Sequence, residues 1–299
     1  MNGSGQCYNK RIKERESAMN PNVHTALIQM DIQIGEPDVN FDRVVQKLTE
    51  AVKQPQKPDL IVLPEMWNTG YALESIRALA DKGGVRTKSI LGEFARMHNV
   101  MIVGGSIAEK RGEHVYNTMF VFDREGREIG CYRKIHLFRL MDEYIYLQSG
   151  DGPGNFELEG IPSGGMICYD IRFPELARSH ALEGVKLLII PAQWPHPRLH
   201  HWRTLLQARA IENQLYVLAC NRCGASGDTR FFGHSMVIDP WGEILAEAGE
   251  EEQILYAGMD LHEVDKVRQK IPVFRDRRPE YYQRWSEADS EDMEQGTST

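Results

Sequence analysis

The chain has 299 residues, enough for one large domain or two small ones, and its 41% apolar and 26% charged content is an ordinary globular balance. Lys and Arg number 35 against 43 Asp and Glu, a net charge of −8, and no basic face is evident, so a nucleic-acid partner is not expected. No apolar run approaches the ~18 residues of a membrane helix, and the basic N-terminus (Lys10, Arg11, Lys13, Arg15) leads into no apolar stretch, so neither a membrane association nor a secretory leader is expected.

In chain order, residues 1–22 are polar and aperiodic and read as a flexible extension, with Met19 available as an alternative start. Residues 24–30 read as a strand. Asn40 can cap a helix whose stripe is Phe41, Val44, Val45, Leu48 and Val52. Residues 60–63 form a buried strand, 89–98 a helix and 100–104 a further strand. Residues 115–122 and 128–133 then make an antiparallel hairpin turning at Glu125-Gly126.

Residues 165–169 read as a strand ending near Cys168, and Pro174 stands where a helix tolerates proline, in its first turn. A strand over 186–190, a helix over 202–213 and a strand over 215–220 follow. A second hairpin spans 234–239 and 243–248 around Pro240-Trp241-Gly242, and a strand over 253–259 precedes a helix over 261–270. Residues 286–299 read as a disordered acidic tail, leaving 23–285 as one unit without a linker. Strands alternate with helices, yet hairpins interrupt them, and several strands are apolar throughout. That pattern predicts an α/β protein with two mixed sheets stacked face to face between helical layers.

Three reactive side chains follow apolar strands. Glu65 ends Leu60-Ile-Val-Leu-Pro-Glu65, at the kind of strand edge where ligands bind and a partly desolvated carboxylate can act as a base. Its plain alternative is a solvated loop glutamate. Cys168 ends an apolar strand just before the sequence turns polar, where a turn can expose the sulfur and gather backbone N–H donors; its alternative is a small buried hydrophobe. Lys134 closes the first hairpin and is by default a surface charge. Pointed inward, it would lower the thiol's pKa and leave Cys168 largely thiolate near neutrality.

Taken together, Leu63-Pro64-Glu65, Arg133-Lys134-Ile135-His136-Leu137 and Ile167-Cys168-Tyr169-Asp170-Ile171-Arg172-Phe173-Pro174-Glu175 resemble the nitrilase superfamily of carbon–nitrogen hydrolases. The likeness covers roughly residues 23–282 and includes Gly233-His234-Ser235 and Asp239-Pro240-Trp241-Gly242. It implies a four-layer αββα sandwich of two mixed β-sheets, a homodimer or larger homo-oligomer, and no cofactor or metal. It also implies roles: Glu65 as general base, Cys168 as nucleophile, and Lys134 with the Tyr169 N–H as oxyanion donors. Glu143, in Leu140-Met-Asp-Glu143, matches the family's second glutamate better than its neighbour Asp142 does.

The stretch from Lys134 to Leu147, with Pro191-Ala-Gln193-Trp194-Pro195, looks most like small bacterial ω-amidase-type members, which act on short oxo-acid amides such as 2-oxoglutaramate. Cys-Tyr-Asp replaces the Cys-Trp-Glu common in nitrile-cleaving enzymes. Tyr71, Tyr169, Gln193 and Trp194 are expected to line the substrate pocket. Arg172 could meet an anionic substrate, or could pair with Glu175 or Asp170. Other readings are N-carbamoyl amino acid hydrolysis, nitrile hydrolysis, and a non-enzymatic scaffold, the last of which degenerate catalytic residues would favour. His196, His200 and His201, with Cys220 and Cys223, have no finger-like metal spacing; the histidines should cap or precede the helix near Trp202. Five cysteines, an odd set, indicate a reducing, cytoplasmic setting. The Arg- and Tyr-rich segment 272–282 either packs near a subunit contact or wraps its own domain.

Overall fold

A computed structural model describes residues 21–282. The expected acidic tail lies outside them, as does the expected N-terminal extension apart from Pro21 and Asn22, and Asn22 already opens the first strand. The first half of the chain supplies β1 (Asn22–Gln29), α1 (Pro37–Ala51), β2 (Leu60–Val62), β3 (Asp81–Lys82), α2 (Val85–His98), β4 (Met101–Val103), β5 (Ile107–Arg111), β6 (His114–Phe122) and β7 (Glu128–Arg133). These strands join one sheet in the order β16-β1-β2-β4-β6-β5-β3, with β7 also paired to β6; β16 (Gln253–Asp260) returns from the far end of the chain.

The second half supplies α3 (Glu143–Tyr146), β8 (Asn155–Leu158), β9 (Ile161–Gly165), α4 (Pro174–Leu182), β10 (Leu187–Ala192), α5 (Leu199–Asn213), β11 (Tyr216–Asn221), β14 (Met236–Ile238) and β15 (Ile244–Glu247). Its sheet runs β15-β14-β11-β10-β9-β8, while β12 (Cys223–Ser226) and β13 (Thr229–Phe232) make a separate ribbon and α6 (His262–Lys270) follows β16. Parallel pairs occupy the middle of both sheets (β1, β2 and β4; β9, β10 and β11) and antiparallel pairs flank them.

The period-2 alternation of strand side chains sorts the core into layers. Leu27, Leu60, Val62, Met101 and Val103 face the second sheet, and their neighbours Ala26, Ile28, Ile61 and Ile102 pack under α1 and α2 with Phe41, Val44, Leu48, Leu91 and Phe94. On the far side, Ala177, Ala181, Trp202, Leu206 and Ala210 of α4 and α5 cover β10 and β11. The sheets meet closely: the Cys220 sulfur on β11 lies 3.3 Å from the Ile28 carbonyl oxygen. The expected four-layer αββα sandwich is thus the observed fold. A fully buried Leu or Ile here contributes about 1.5–3 kcal/mol, so packing between the sheets holds the loops at their ends in register.

Some expectations need correcting. Asn40 does not cap α1, which starts earlier with Pro37 in its first turn. Asn40 is instead buried, its side chain bonded to both backbone groups of Gln33 and to the Asn68 carbonyl. A polar residue inside an apolar stripe can serve loop closure as well as a cap, and sequence does not separate the two. The hairpin of β6 and β7 is really a three-stranded meander with β5, whose Glu-Lys-Arg end hid its strand character. Finally, α5 begins at Leu199, so His200 and His201 sit in its first turn.

Candidate active site

Glu65 lies two residues beyond the Leu63 that follows β2, in a loop clamped by the β4–β5 connection. The Ser106 amide donates to the Pro64 carbonyl at 3.0 Å and the Ser106 hydroxyl accepts from the Met66 amide at 3.0 Å. Gly105 makes this approach possible, having φ +56°; a Cβ there would stand 2.0 Å from the Pro64 oxygen. Glu65 is fully buried, which removes the solvated-glutamate reading. Its Oε1 lies 2.8 Å from Asn117 Nδ2, 2.9 Å from Lys134 Nζ and 2.9 Å from the Tyr71 hydroxyl, and its Oε2 accepts from the Gln193 amide at 2.8 Å. Gln193 Nε2 also donates to the Glu65 carbonyl at 2.7 Å, fixing the loop to the end of β10.

Lys134 follows β7 directly and points inward. Its Nζ lies 2.9 Å from Glu65 Oε1 and 2.7 Å from Glu143 Oε1, with all three side chains out of solvent. Burial alone would lower the ammonium's pKa, but Glu143 and Glu65 outweigh it and hold Lys134 well above its ordinary value, fully charged. Glu143 begins α3, and its Oε2 accepts from the Phe138 amide at 2.8 Å. Burial pushes the Glu143 carboxyl up, Lys134 pulls it down and Glu65 raises it again; the net shift is upward. Asp142, the neighbour that could be confused with it, is exposed.

Cys168 stands not at the end of β9, which stops at Gly165, but at the first position of a 3₁₀ turn, Cys168–Arg172. Its φ of +46° is left-handed, a strain of about 1–3 kcal/mol for a non-glycine residue. Asp170 holds this turn and joins it to the lysine loop. Its Oδ2 accepts from the Ile167 amide at 2.9 Å and the Tyr132 hydroxyl at 2.7 Å, and its Oδ1 accepts from the His136 amide at 3.1 Å. The His136 ring then stacks on Phe173 with centroids 3.6 Å apart.

The electrostatics correct the expectation of a resting thiolate. Burial, then Glu65 and Glu143, push the Cys168 thiol well above its ordinary value, and Lys134 only partly opposes them. The ammonium is already matched by two carboxylates, so its field at the sulfur is largely spent. Cys168 is therefore a neutral thiol in the field of Glu65, ready to give its proton rather than already without it.

A cleft over the sulfur is lined by Tyr71, Tyr169, Gln193 and Trp194, together with Phe138, Met141, Arg172 and Arg198. All five residues expected at the pocket (Tyr71, Tyr169, Arg172, Gln193 and Trp194) therefore gather around Cys168. Arg172 makes no ion pair with Glu175 or Asp170: Asp170 is engaged as above, and the guanidinium packs over the Trp194 ring at 4.9 Å, with Nη2 3.3 Å from His201 Nδ1. Three further residues escaped sequence reasoning. Asn117 is a polar side chain in the apolar run of β6, a signal that could have found it. Arg198 gave none. Arg222 is fully buried, donating from Nη1 to Gln193 Oε1 at 2.9 Å and from Nη2 to Asp31 Oδ1 at 2.9 Å, and so braces the residue that clamps Glu65. Among the described residues no three His, Cys, Asp or Glu side chains converge as metal ligands, and His196 packs edge-on against Phe232.

The arrangement can move a proton from a neutral thiol to a buried carboxylate beside a fixed positive charge, the chemistry of acyl transfer. Residues 24–269 match the profile of a family described as carbon-nitrogen hydrolase. The chain is 49% identical to the 2-oxoglutaramate amidase of Bacillus subtilis (strain 168) over 255 residues, 85% of this chain and 97% of that protein. It is 37% identical to the human omega-amidase NIT2 over 86% of this chain and 95% of that one. In structure it resembles a carbon-nitrogen hydrolase from Helicobacter pylori G27, with a TM-score of 0.82 and 30% identity over 88% and 98% of the two chains.

Proposed function

The chain belongs to the carbon–nitrogen hydrolase family of the nitrilase superfamily and is an amidase-type enzyme; on that premise, we propose that it cleaves the terminal amide of a short oxo acid, such as 2-oxoglutaramate, through a thioester on Cys168. The observation that carries this reading is the single buried cluster of Glu65, Lys134, Glu143 and Cys168. Glu65 takes the thiol proton as the sulfur attacks the amide carbon. The carbonyl electron pair moves onto oxygen, where Lys134 Nζ and the Tyr169 amide stabilise it. Glu65 then returns the proton to the departing ammonia, leaving the thioester. A water gives a proton to Glu65 and attacks the thioester; the C–S bond breaks, Glu65 passes that proton to the sulfur, and the acid leaves. Glu143 holds the Lys134 ammonium in place throughout.

The acid end of the substrate is met by Arg172 and Arg198, two cleft cations without a carboxylate partner among the described residues. The buried Trp194 indole N–H, which has no acceptor among the described residues, leaves another donor in the same wall. Replacing both arginines by Ala should raise KM for 2-oxoglutaramate by roughly 100-fold, about 2.7 kcal/mol, and leave a neutral short amide such as propionamide nearly unaffected. Initial rates across ω-amides, N-carbamoyl amino acids and nitriles test the class. A preference for nitriles or neutral amides in the unmodified protein would overturn it.

The same reading makes the protein a cytoplasmic homodimer. The four described cysteines are unpaired, which supports a reducing compartment, and no helix among the described residues is long and apolar enough to cross a membrane. Ile211 of α5, Trp241 and Ile271 are exposed apolar residues on one side of the second sheet, with Lys270 Nζ 5.1 Å from the centroid of the Trp241 ring. Phe274, at the start of segment 272–282, packs inward between Arg178 and Arg268, while Tyr281 and Tyr282 stay at the surface. Light scattering at micromolar concentration should return twice the 34.2 kDa chain mass; a monomer would remove the dimer from the proposal.

A further inference from the structure

Tyr71 has more neighbours than its single proton can serve. Its hydroxyl lies 2.9 Å from Glu65 Oε1 and 2.7 Å from Glu143 Oε1. Lys134 Nζ contacts the same two oxygens at 2.9 and 2.7 Å, but an ammonium has three protons and serves both. A phenol donates once, so one of its two short contacts must run the other way.

The surroundings decide which. Glu65 Oε1 already has donors in Asn117 Nδ2 and Lys134 Nζ, whereas among the described residues Glu143 Oε1 has Lys134 alone besides Tyr71. The phenol contact with Glu143 is also the shorter. We propose that Tyr71 is a positioning residue for the reaction: it donates its proton to Glu143 and turns a lone pair toward Glu65, so that it favours the protonated form of Glu65.

While Glu65 is a carboxylate, this contact sets two electron-rich oxygens face to face. When the S–H bond of Cys168 breaks and an O–H bond forms on Glu65, that proton can point to the Tyr71 oxygen and turn the contact into a hydrogen bond. No other proton moves and nothing is oxidised or reduced. The groups facing the phenol are Glu65 from the loop after β2, Lys134 from the end of β7, Glu143 from α3 and Cys168 from the turn after β9, with Arg222 from beyond β11 acting at longer range. Burial and the charges of Glu143 and Glu65 hold the phenol well above its ordinary value, so it keeps its proton throughout the working range.

This inference rests on Glu65 as the base for Cys168, and its test separates the two ideas. The pH profile of kcat/KM is measured for the unmodified protein, Tyr71→Phe and Glu65→Gln. The base must be ionised to accept the thiol proton, so the acid limb of the profile follows it. Losing a group that favours protonated Glu65 moves the acid limb of Tyr71→Phe to lower pH, by about half a unit or more, and lowers the plateau roughly 10-fold because the base is weaker. An acid limb moved to higher pH would mean that Tyr71 donates to Glu65, and would overturn the proposal. An unmoved limb with a raised KM would reduce Tyr71 to a pocket wall and overturn it equally. Should Tyr71→Phe fold poorly, 3-fluorotyrosine at the same position, a weaker acceptor of unchanged shape, should shift the limb in the same direction by less. A Glu65→Gln protein with unimpaired turnover would instead remove the underlying base assignment, whatever Tyr71 does.

Discussion

Cys168→Ala is expected to lower kcat/KM for 2-oxoglutaramate by roughly 10⁴-fold or more, the scale of a lost nucleophile, and Glu65→Gln to follow it closely. The two act as one unit, because the thiol has no thiolate reservoir to draw on. Burial and the carboxylates of Glu65 and Glu143 hold its pKa well above the ordinary range, against the pull of Lys134. Below that raised value the sulfur is neutral, so attack needs a base at the moment of reaction. Glutamine keeps the shape of Glu65 but cannot take the proton. The same sign makes a second measurement available: alkylation of Cys168 by iodoacetamide should be slow near neutral pH and accelerate into alkaline buffer. Rapid alkylation that has already levelled off in mildly acid buffer would show a preformed thiolate and sink this account. Ammonia release by Cys168→Ala at an undiminished rate would sink the nucleophile itself.

Lys134→Met should cost both activity and stability. It leaves Glu65 and Glu143, both fully buried and each formerly within 3 Å of the ammonium, facing one another without a cation. Removing one partner from a buried charge cluster typically destabilises by about 3–5 kcal/mol. The loss should depend on pH. In the intact protein the Glu143 carboxyl is already raised by burial and by Glu65, with Lys134 opposing. Without Lys134 the folded pair holds a proton more tightly still than the unfolded chain does. The variant's deficit is therefore smallest below the ordinary glutamate range, where both states are protonated, and reaches full size as pH rises through the raised folded value. Urea unfolding at several pH values reads this directly. The double variant Lys134→Met, Glu143→Gln should recover part of the stability but not the activity, because it removes the repulsion and still lacks the proposed oxyanion donor. A single variant as stable as the parent at neutral pH would contradict the cluster.

Much of the fold was legible because burial writes itself into periodicity. Runs such as Leu60-Ile-Val-Leu and Leu187-Leu-Ile-Ile, apolar on both faces, required cover on both sides, and the two stacked sheets supply it. The strands that escaped, β3, β5, β8 and the β12–β13 ribbon, are short or polar, and pairing with a neighbour rather than their own pattern makes them strands. Within the site, Glu65, Lys134 and Cys168 drew notice after apolar strands, but only their joint resemblance to a known family, which also supplied Glu143, set them above their plain alternatives. What each feels could not be read from the sequence. The neutral state of Cys168, the bracing of the Cys168 turn by Asp170 and of Gln193 by Arg222, and the cations Arg172 and Arg198 in one cleft depend on segments far apart in the chain. Asp31 and Arg222, for instance, meet across 191 positions.

The sequence by itself determined the two-sheet architecture, the family resemblance and the order Glu, Lys, Glu, Cys, because hydrophobic period and local motif are properties of neighbouring residues. Only the tertiary structure decided the protonation and the wiring of the site. A pKa is set by desolvation and by charges within a few ångströms, and in this chain the charges around Cys168 come from Glu65, Lys134 and Glu143, which separate segments of the chain bring together.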